Sequence, residues 1–370
     1  MKCVKIALIF IMLWAFLALS IYGQTLAVEV TVIRAGRLFD SEKGVFLSAR
    51  DIVIKGNLIE YVGENLPIPK GAQVVDLRRF TVMPSVRLAV NEGSLDGPRM
   101  YVSGPGLSPE GGQFPGLQFS YRGIAEEEYR IVRGAEDARM AVRENVTYGA
   151  NVIKIYSSAS PNPGYLSMEE MRAIVAEARL LGVKVTAHAT SDLAISRAVE
   201  AGVDSIEHGY RAEDTTLKLM KERGVALVPT YLDSVNLKRI YAIARPNRPV
   251  TEQELSAALK QRYERLQRAV KAGVTIVAGS DNYIDLGVPQ GEAAKRVLFT
   301  YHDAGMETAQ VLQSATINAA RLFGEPRIGV IKTGAFADII AVDGDPVKDF
   351  DALERVKFVM KNGKVYLGQP

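Results

Sequence analysis

Two histidines carry the first chemical signal. His188 closes the apolar stretch "KVTAHAT" (184–190), and His208 closes "SIEHGY" (205–210). A lone histidine is ordinarily a core or loop residue. Two at equivalent ends of successive strand-like segments point to metal ligation, because imidazole is the commonest protein ligand for divalent ions. Lys154 stands in the middle of the apolar strand "NVIKIYSS" (151–158). It either points into the protein or reaches water from the strand end. Lysine is rarely buried without a partner, which favours a functional inward position. Asp281 follows "VTIVAGS" (274–280). As an isolated residue it reads as a helix N-cap. Beside Lys154, His188 and His208 it becomes a ligand and general-base candidate, since a carboxylate next to a metal-activated water can take that water's proton. The third histidine, His302 in "FTYHDAGM", reads as a surface or loop residue between helices.

The elements that position these residues alternate strand and helix. "RMYVSG" (99–104) is strand-like and "NVIKIYSS" is an apolar strand. Leu166 to Leu181 has helical spacing and ends at Gly182. "KVTAHAT", "SIEHGY", "VALVPTY" (225–231) and "VTIVAGSDN" (274–282) follow as further strands with helices between them, and Thr308 to Phe323 reads as a closing helix. The helix ends "LGV", "AGV", "RGV" and "AGV" repeat one device, a left-handed glycine cap before a buried strand. Repeated βα units without hairpins predict an α/β fold with a parallel sheet. Six such strands are recognisable, whereas a (β/α)8 TIM barrel has eight. A barrel collects strand C-termini around one mouth, where active sites lie.

The flanks differ. Residues 28–83 run in short alternating segments such as "DIVIKGN" and "QVVDL", punctuated by glycines. The C-terminus has the same texture, with "DIIAV", Val356 to Met360 and the hairpin signal Asn362-Gly363. The economical reading is a small β-sandwich built by both termini, residues 28–84 plus 326–370. The barrel, residues 85–325, is inserted between them.

Charged residues make up 24% of the chain and its formal net charge is only +3, with no basic run, so nucleic-acid binding has no support. Residues 1–27 read as a secretory signal peptide. Lys2 and Lys5 precede the apolar run Ile6 to Leu19, and Thr25-Leu26-Ala27 is an acceptable cleavage site. The run is short for a membrane span, which needs about 20 residues, so membrane attachment would come only through an uncleaved anchor. Removing the leader takes Lys2 and Lys5, leaving 43 basic against 42 acidic residues, and it takes the only cysteine, Cys3. A mature chain without thiols suits a secreted or periplasmic location.

The motifs "GANVIKIYSS", "VTAHAT", "GVDSIEHGY", "VPTY", "AGSDN", "SATINAARLFG" and "TGAFADIIAVDGDP" together resemble the amidohydrolase superfamily, in its imidazolonepropionase-like and prolidase-like branch. The resemblance spans roughly Val30 to Val365. It implies a metal-dependent hydrolase of amide, dipeptide or cyclic amide bonds, with a distorted (β/α)8 barrel and a terminal β-sandwich. It implies that Lys154 is a carboxylated lysine bridging two divalent metals, most naturally Zn2+, and that His188 and His208 bind the second. Asp281 would bind the first and act as the base, and Tyr231, after "VPT", would polarise the substrate carbonyl. Partners are then a small-molecule or dipeptide substrate, and a homo-oligomer is compatible with the sequence.

One departure stands out. The superfamily carries a His-x-His pair at the end of the strand that follows the sandwich. Here Pro84 of "TVMPS" runs directly into "VRLAVNEGSLDGPRMYVSG". No histidine precedes His188. Two βα units, roughly 60 residues at the barrel's usual spacing, are skipped. A histidine common after paired glycines is also replaced, by Gln113 after Gly111-Gly112. One metal thereby loses both imidazoles. Two functions follow from this: an exported metal-dependent amidohydrolase, or a catalytically impaired remnant of one.

Overall fold

The computed structural model describes residues 30–84, 99–114, 116–158 and 164–368. The leader expected at residues 1–27 and the junction beyond Pro84 lie outside the described residues. Among the described residues no helix is long and apolar enough to cross a membrane.

Both ends of the chain build one seven-stranded sheet. Its strands are β1 (Val30–Asp40), β2 (Val45–Lys55), β3 (Leu58–Gly63), β4 (Gln73–Pro84), β11 (Ile339–Val342), β12 (Val356–Lys361) and β13 (Lys364–Leu367), in the order β13-β12-β11-β4-β1-β2-β3. The two termini meet where β4 pairs antiparallel with β11, Val82 opposite Ala341, while β4 runs parallel to β1 on its other side. Register shifts at Ala35/Arg37 and Val53/Ile54 bend the ladder. Ile33, Ile52, Ile54, Val75, Val82 and Phe358 form one apolar face, covered by Ile317 and Ala320. Each such aliphatic side chain contributes about 1.5–3 kcal/mol on burial.

The second sheet is entirely parallel. Its strands are β5 (Gly106–Ser108), β6 (Tyr129–Ile131), β7 (Val152–Tyr156), β8 (Lys184–Ala189), β9 (Ser205–His208) and β10 (Ala226–Val228), in the order β10-β9-β8-β7-β5-β6. A parallel bridge from Leu227 to Ile276 extends it. Parallel neighbours need crossovers, and the helices Met168–Leu180, Asp192–Ala201 and Asp214–Arg223 supply them. Gly202 and Gly224 close two of these helices in the left-handed region, as the repeated "GV" endings implied. The result is a mixed α/β fold of the barrel type, and among the described residues the sheet does not close on itself.

Strand alternation separates packing from chemistry. On β7, Ile153 and Ile155 are fully buried in the core shared with the helices, and Lys154 and Tyr156 take the opposite face. On β8, Val185, Ala187 and Ala189 pack outward, leaving Thr186 and His188 on the inner side.

Three local expectations need correction. "RMYVSG" is not a strand, and the strand starts at Gly106. Side-chain amides replace the ladder there. Asn145 donates to the carbonyls of Ser103 and Pro105, and Asn151 accepts from the Val102 amide. The segment 274–282 keeps only the bridge at Ile276. The helix expected over Thr308 to Phe323 is two helices, Thr308–Ser314 and Ile317–Phe323. The break falls where the Ser314 and Thr316 hydroxyls donate to the carbonyls of Val311 and Leu312.

Candidate active site

The register across β7, β8 and β9 sets the site. Lys154 lies opposite Thr186, Tyr156 opposite His188, and His188 opposite Glu207. The rings of His188 and His208 sit with centroids 4.6 Å apart at 68°. His208 reaches this position through a left-handed backbone, φ 72°. Thr230 (φ 55°) and Asp281 (φ 51°) share that conformation at the ends of the next two strand segments. Non-glycine residues held at positive φ cost of order 1–3 kcal/mol each, and such strain clusters at functional sites.

Thr230 orients His208. Its hydroxyl lies 2.8 Å from Nδ1 and 3.2 Å from the Tyr210 hydroxyl. With Nδ1 occupied, Nε2 is the nitrogen left to bind. His188 Nε2 is buried and has no hydrogen-bond partner among the described residues. An unsatisfied buried polar atom costs about 1–3 kcal/mol. Burial, with Lys154 adding to it, lowers the His188 imidazole to about 4. Burial first, then His188 and Lys154, lowers His208 to about 3. Both rings are therefore neutral at pH 7, the state a metal ligand requires.

Lys154 lies on the same inner face, its Nζ 5.6 Å from the centre of the Tyr156 ring. Desolvation lowers its amine, while Glu207 and Asp281 pull it back up. Glu207 was not singled out in the sequence. The signal was present, because in "SIEH" it shares the inward parity of Ser205 and faces His188. The Thr186 hydroxyl donates to its carboxylate at 2.5 Å, and the Ser205 hydroxyl donates to Thr186 Oγ1 at 2.9 Å. Burial raises the Glu207 carboxyl against the pull of Lys154. Asp281 is exposed at the strand end. Partial desolvation raises its carboxyl and Lys154 opposes that. Tyr231 is 3% exposed, and burial pushes its hydroxyl up to about 12. It stacks on Tyr210 with centroids 5.9 Å apart. Gln113, where the superfamily often has histidine, donates to the Ser158 carbonyl at 2.7 Å. His302 is outside this group. It sits at the end of the helix Val297–Asp303 and stacks on Phe350.

The structure thus brings His188, His208, Lys154 and Tyr231 around one mouth. Asp281 joins them electrostatically. Among the described residues, no group of three or more His, Cys, Asp or Glu side chains is placed to hold a metal ion.

The amidohydrolase family signature matches residues 75–366. The chain belongs to the amidohydrolase family. The ochratoxinase of Aspergillus niger is 31% identical over 311 residues, covering 76% of this chain and 63% of that protein. The chain therefore spans less than two thirds of the length of this curated relative. A solved prolidase complexed with N-methylphosphonate-L-proline is 29% identical, with TM-score 0.77 over 92% of this chain and all of that one. The A. niger ochratoxinase structure gives 26% identity and TM-score 0.76 over 92% of this chain and 96% of its own.

Amidohydrolase-family proteins generally use divalent metals, so the donor set can be tested for fit. The orphaned Nε2 of His188 beside the neutral, Thr230-oriented His208 fits one ion. A second ion has no imidazole pair among the described residues. Among the described residues the donor set is this one imidazole pair, with no third His, Cys, Asp or Glu beside it.

Proposed function

We propose that the chain is an exported, metal-dependent amidohydrolase that cleaves a C–N bond of a small amide or dipeptide. The carrying observation is the buried, partnerless Nε2 of His188 next to the oriented ring of His208. These two imidazoles would hold one divalent ion, zinc being the natural choice for nitrogen donors at this strand end. When bound, the ion supplies Lewis acidity and an activated water.

The remaining roles belong to the chain itself. Asp281, its carboxyl raised by partial desolvation against the pull of Lys154, would accept the proton of a water held at the site and return it to the leaving amine. The Tyr231 hydroxyl stays protonated at neutral pH and donates to the developing oxyanion. Thr230 fixes the His208 tautomer. Carboxylation of Lys154 by carbon dioxide requires its neutral amine. Burial favours that form, and Glu207 and Asp281 oppose it. Export rests on the leader at residues 1–27.

The second reading, an impaired remnant, is favoured by the absence of a third His, Cys, Asp or Glu ligand beside the histidine pair among the described residues. One assay separates the two. The purified chain is loaded with Zn2+ or Mn2+ and offered a panel of dipeptides, N-acyl amino acids and cyclic amides. Metal-dependent turnover that disappears in His188→Ala supports the hydrolase. A folded, metal-loaded chain that hydrolyses nothing in the panel leaves the remnant reading.

A further inference from the structure

The seven-stranded sheet is apolar on both faces. Strand alternation turns Ile339, Ala341, Phe358 and Met360 into the sheet's own core. Ile340 and Val359 then take the other face, where Ile340 packs against the core of the barrel. Met83, itself part of that core, lies directly opposite Ile340, and Ile340 lies directly opposite Val359. The three make an apolar row across β4, β11 and β12. A cavity of about 400 Å³ lies over this row. Its other wall is Leu298, Phe299 and Leu312, from the helices Val297–Asp303 and Thr308–Ser314. Phe299 and Leu312 are buried, whereas Leu298, Ile340 and Val359 are half-buried. A volume of this size is in the range of small-molecule sites. A cavity with aliphatic and aromatic walls stays dry and takes apolar ligands.

Charge enters this cavity at one place. Glu292 and Lys295 are the charged residues in its lining. Lys295 precedes Leu298 by three residues and shares its helical face. It is half-buried, and Glu292 is exposed, so water screens the carboxylate more than the amine. Among the described residues no carboxylate pairs with Lys295, whereas its neighbour Arg296 pairs with both Asp233 and Glu354. The Thr316 hydroxyl, also in the lining, already donates to the Leu312 carbonyl. The polar group left for a ligand is therefore a cation at the edge of an apolar space. We propose that this cavity binds a medium-chain monocarboxylate, with its alkyl chain along Met83, Ile340 and Val359 and its carboxylate on Lys295. The row crosses three strands, a span of about 10 Å that suits a chain of roughly eight carbons. The lining shares no residue with the histidine site, so the inference stands apart from the hydrolase reading. The ligand joins the terminal sheet to the barrel helices and stabilises the folded chain by mass action.

The test titrates octanoate, octan-1-ol and octylamine calorimetrically into the full zinc-loaded chain, into Lys295→Met and into Leu298→Trp, with circular dichroism as a fold check. The wild type is expected to bind octanoate about tenfold or more tightly than either other probe, the advantage of a charge-assisted hydrogen bond. Lys295→Met is expected to bring octanoate within about threefold of octan-1-ol. Leu298→Trp is expected to weaken octanoate about tenfold or more by filling the cavity. Hexanoate, shorter by two methylenes, is expected to bind the wild type roughly tenfold more weakly than octanoate, a comparison that holds even if Leu298→Trp does not fold. Octylamine as the tightest probe overturns the proposal, because Glu292 then decides. So does an octanoate preference that persists in folded Lys295→Met, since the carboxylate then sits elsewhere, for instance on the zinc. Equal binding of hexanoate and octanoate, or no binding of any probe, also overturns it and leaves the cavity as a feature of packing alone.

Discussion

Acidification of the metal-free chain probes the histidine pair most directly. Both folded-state values are depressed by burial, to about 4 for His188 and about 3 for His208, from the ordinary imidazole value of 6.5. The unfolded chain therefore binds more protons below pH 6.5, and stability falls as pH drops from 6.5 towards the folded values. One pH unit within that window is worth about 1.36 kcal/mol per histidine. Between pH 7 and pH 5, each ring then removes roughly 2 kcal/mol, a sizeable share of a typical stability of about 5–15 kcal/mol. Glu207 and Asp281 act with the opposite sign. Their carboxyls are raised on folding, so the folded chain gains protons there as pH falls. The total profile mixes both effects, and a variant isolates the imidazole. The His188→Asn chain has the Glu207 and Asp281 contributions but lacks one depressed ring. Urea denaturation in EDTA at pH 7 and pH 5 measures the difference. The wild type is expected to lose about 2 kcal/mol more than the variant across this interval. Parallel profiles would mean that His188 is not held neutral by burial, and the claim of a preformed ligand would fail with it.

Two further outcomes follow from the surroundings of the site. Asp233 is 2% exposed, caps the helix Ser234–Ala244 through the Asn236 amide, and accepts from Arg296 Nε at 2.5 Å. Asp233→Ala is expected to cost about 1–3 kcal/mol in urea denaturation, because it removes a buried helix cap and one of the two carboxylates on Arg296, the other being Glu354. The double variant with Arg296→Met should recover part of that cost, and a strictly additive loss would show that the pair does not interact. Thr230→Val removes the partner of His208 Nδ1 while keeping its shape. Zinc affinity, measured by competition with a chromophoric chelator, should weaken about 10–100-fold, and an unchanged affinity would deny Thr230 an orienting role.

The shared inner face was legible because strand alternation is legible. In "VTAHAT" the apolar residues take every second position, which sets His188 on the other face, and in "VIKIY" Lys154 is set apart from Ile153 and Ile155 on either side of it. The amidohydrolase signature is spread over motifs that are weak singly and specific together. Glu207 escaped because a carboxylate next to a ligand histidine reads as a solvated neighbour. Only the register, with Thr186 donating to it, places it on the inner face. Thr230 escaped for a similar reason, since its contact with His208 spans 22 residues and depends on two positive-φ turns. The misplaced strand at 99–104 has another cause. Its β-like composition is overruled by Asn145 and Asn151, which lie more than 40 residues away and satisfy its backbone. Periodicity in a short window carries no information about such distant partners.

The central claim is that His188 and His208 form a single-ion metal site. It is tested most directly by elemental analysis of the chain after equilibration with Zn2+ and removal of free metal, alongside His188→Ala. The account predicts one zinc per wild-type chain and none retained by the variant. Two ions per chain, or equal retention by wild type and variant, would contradict it.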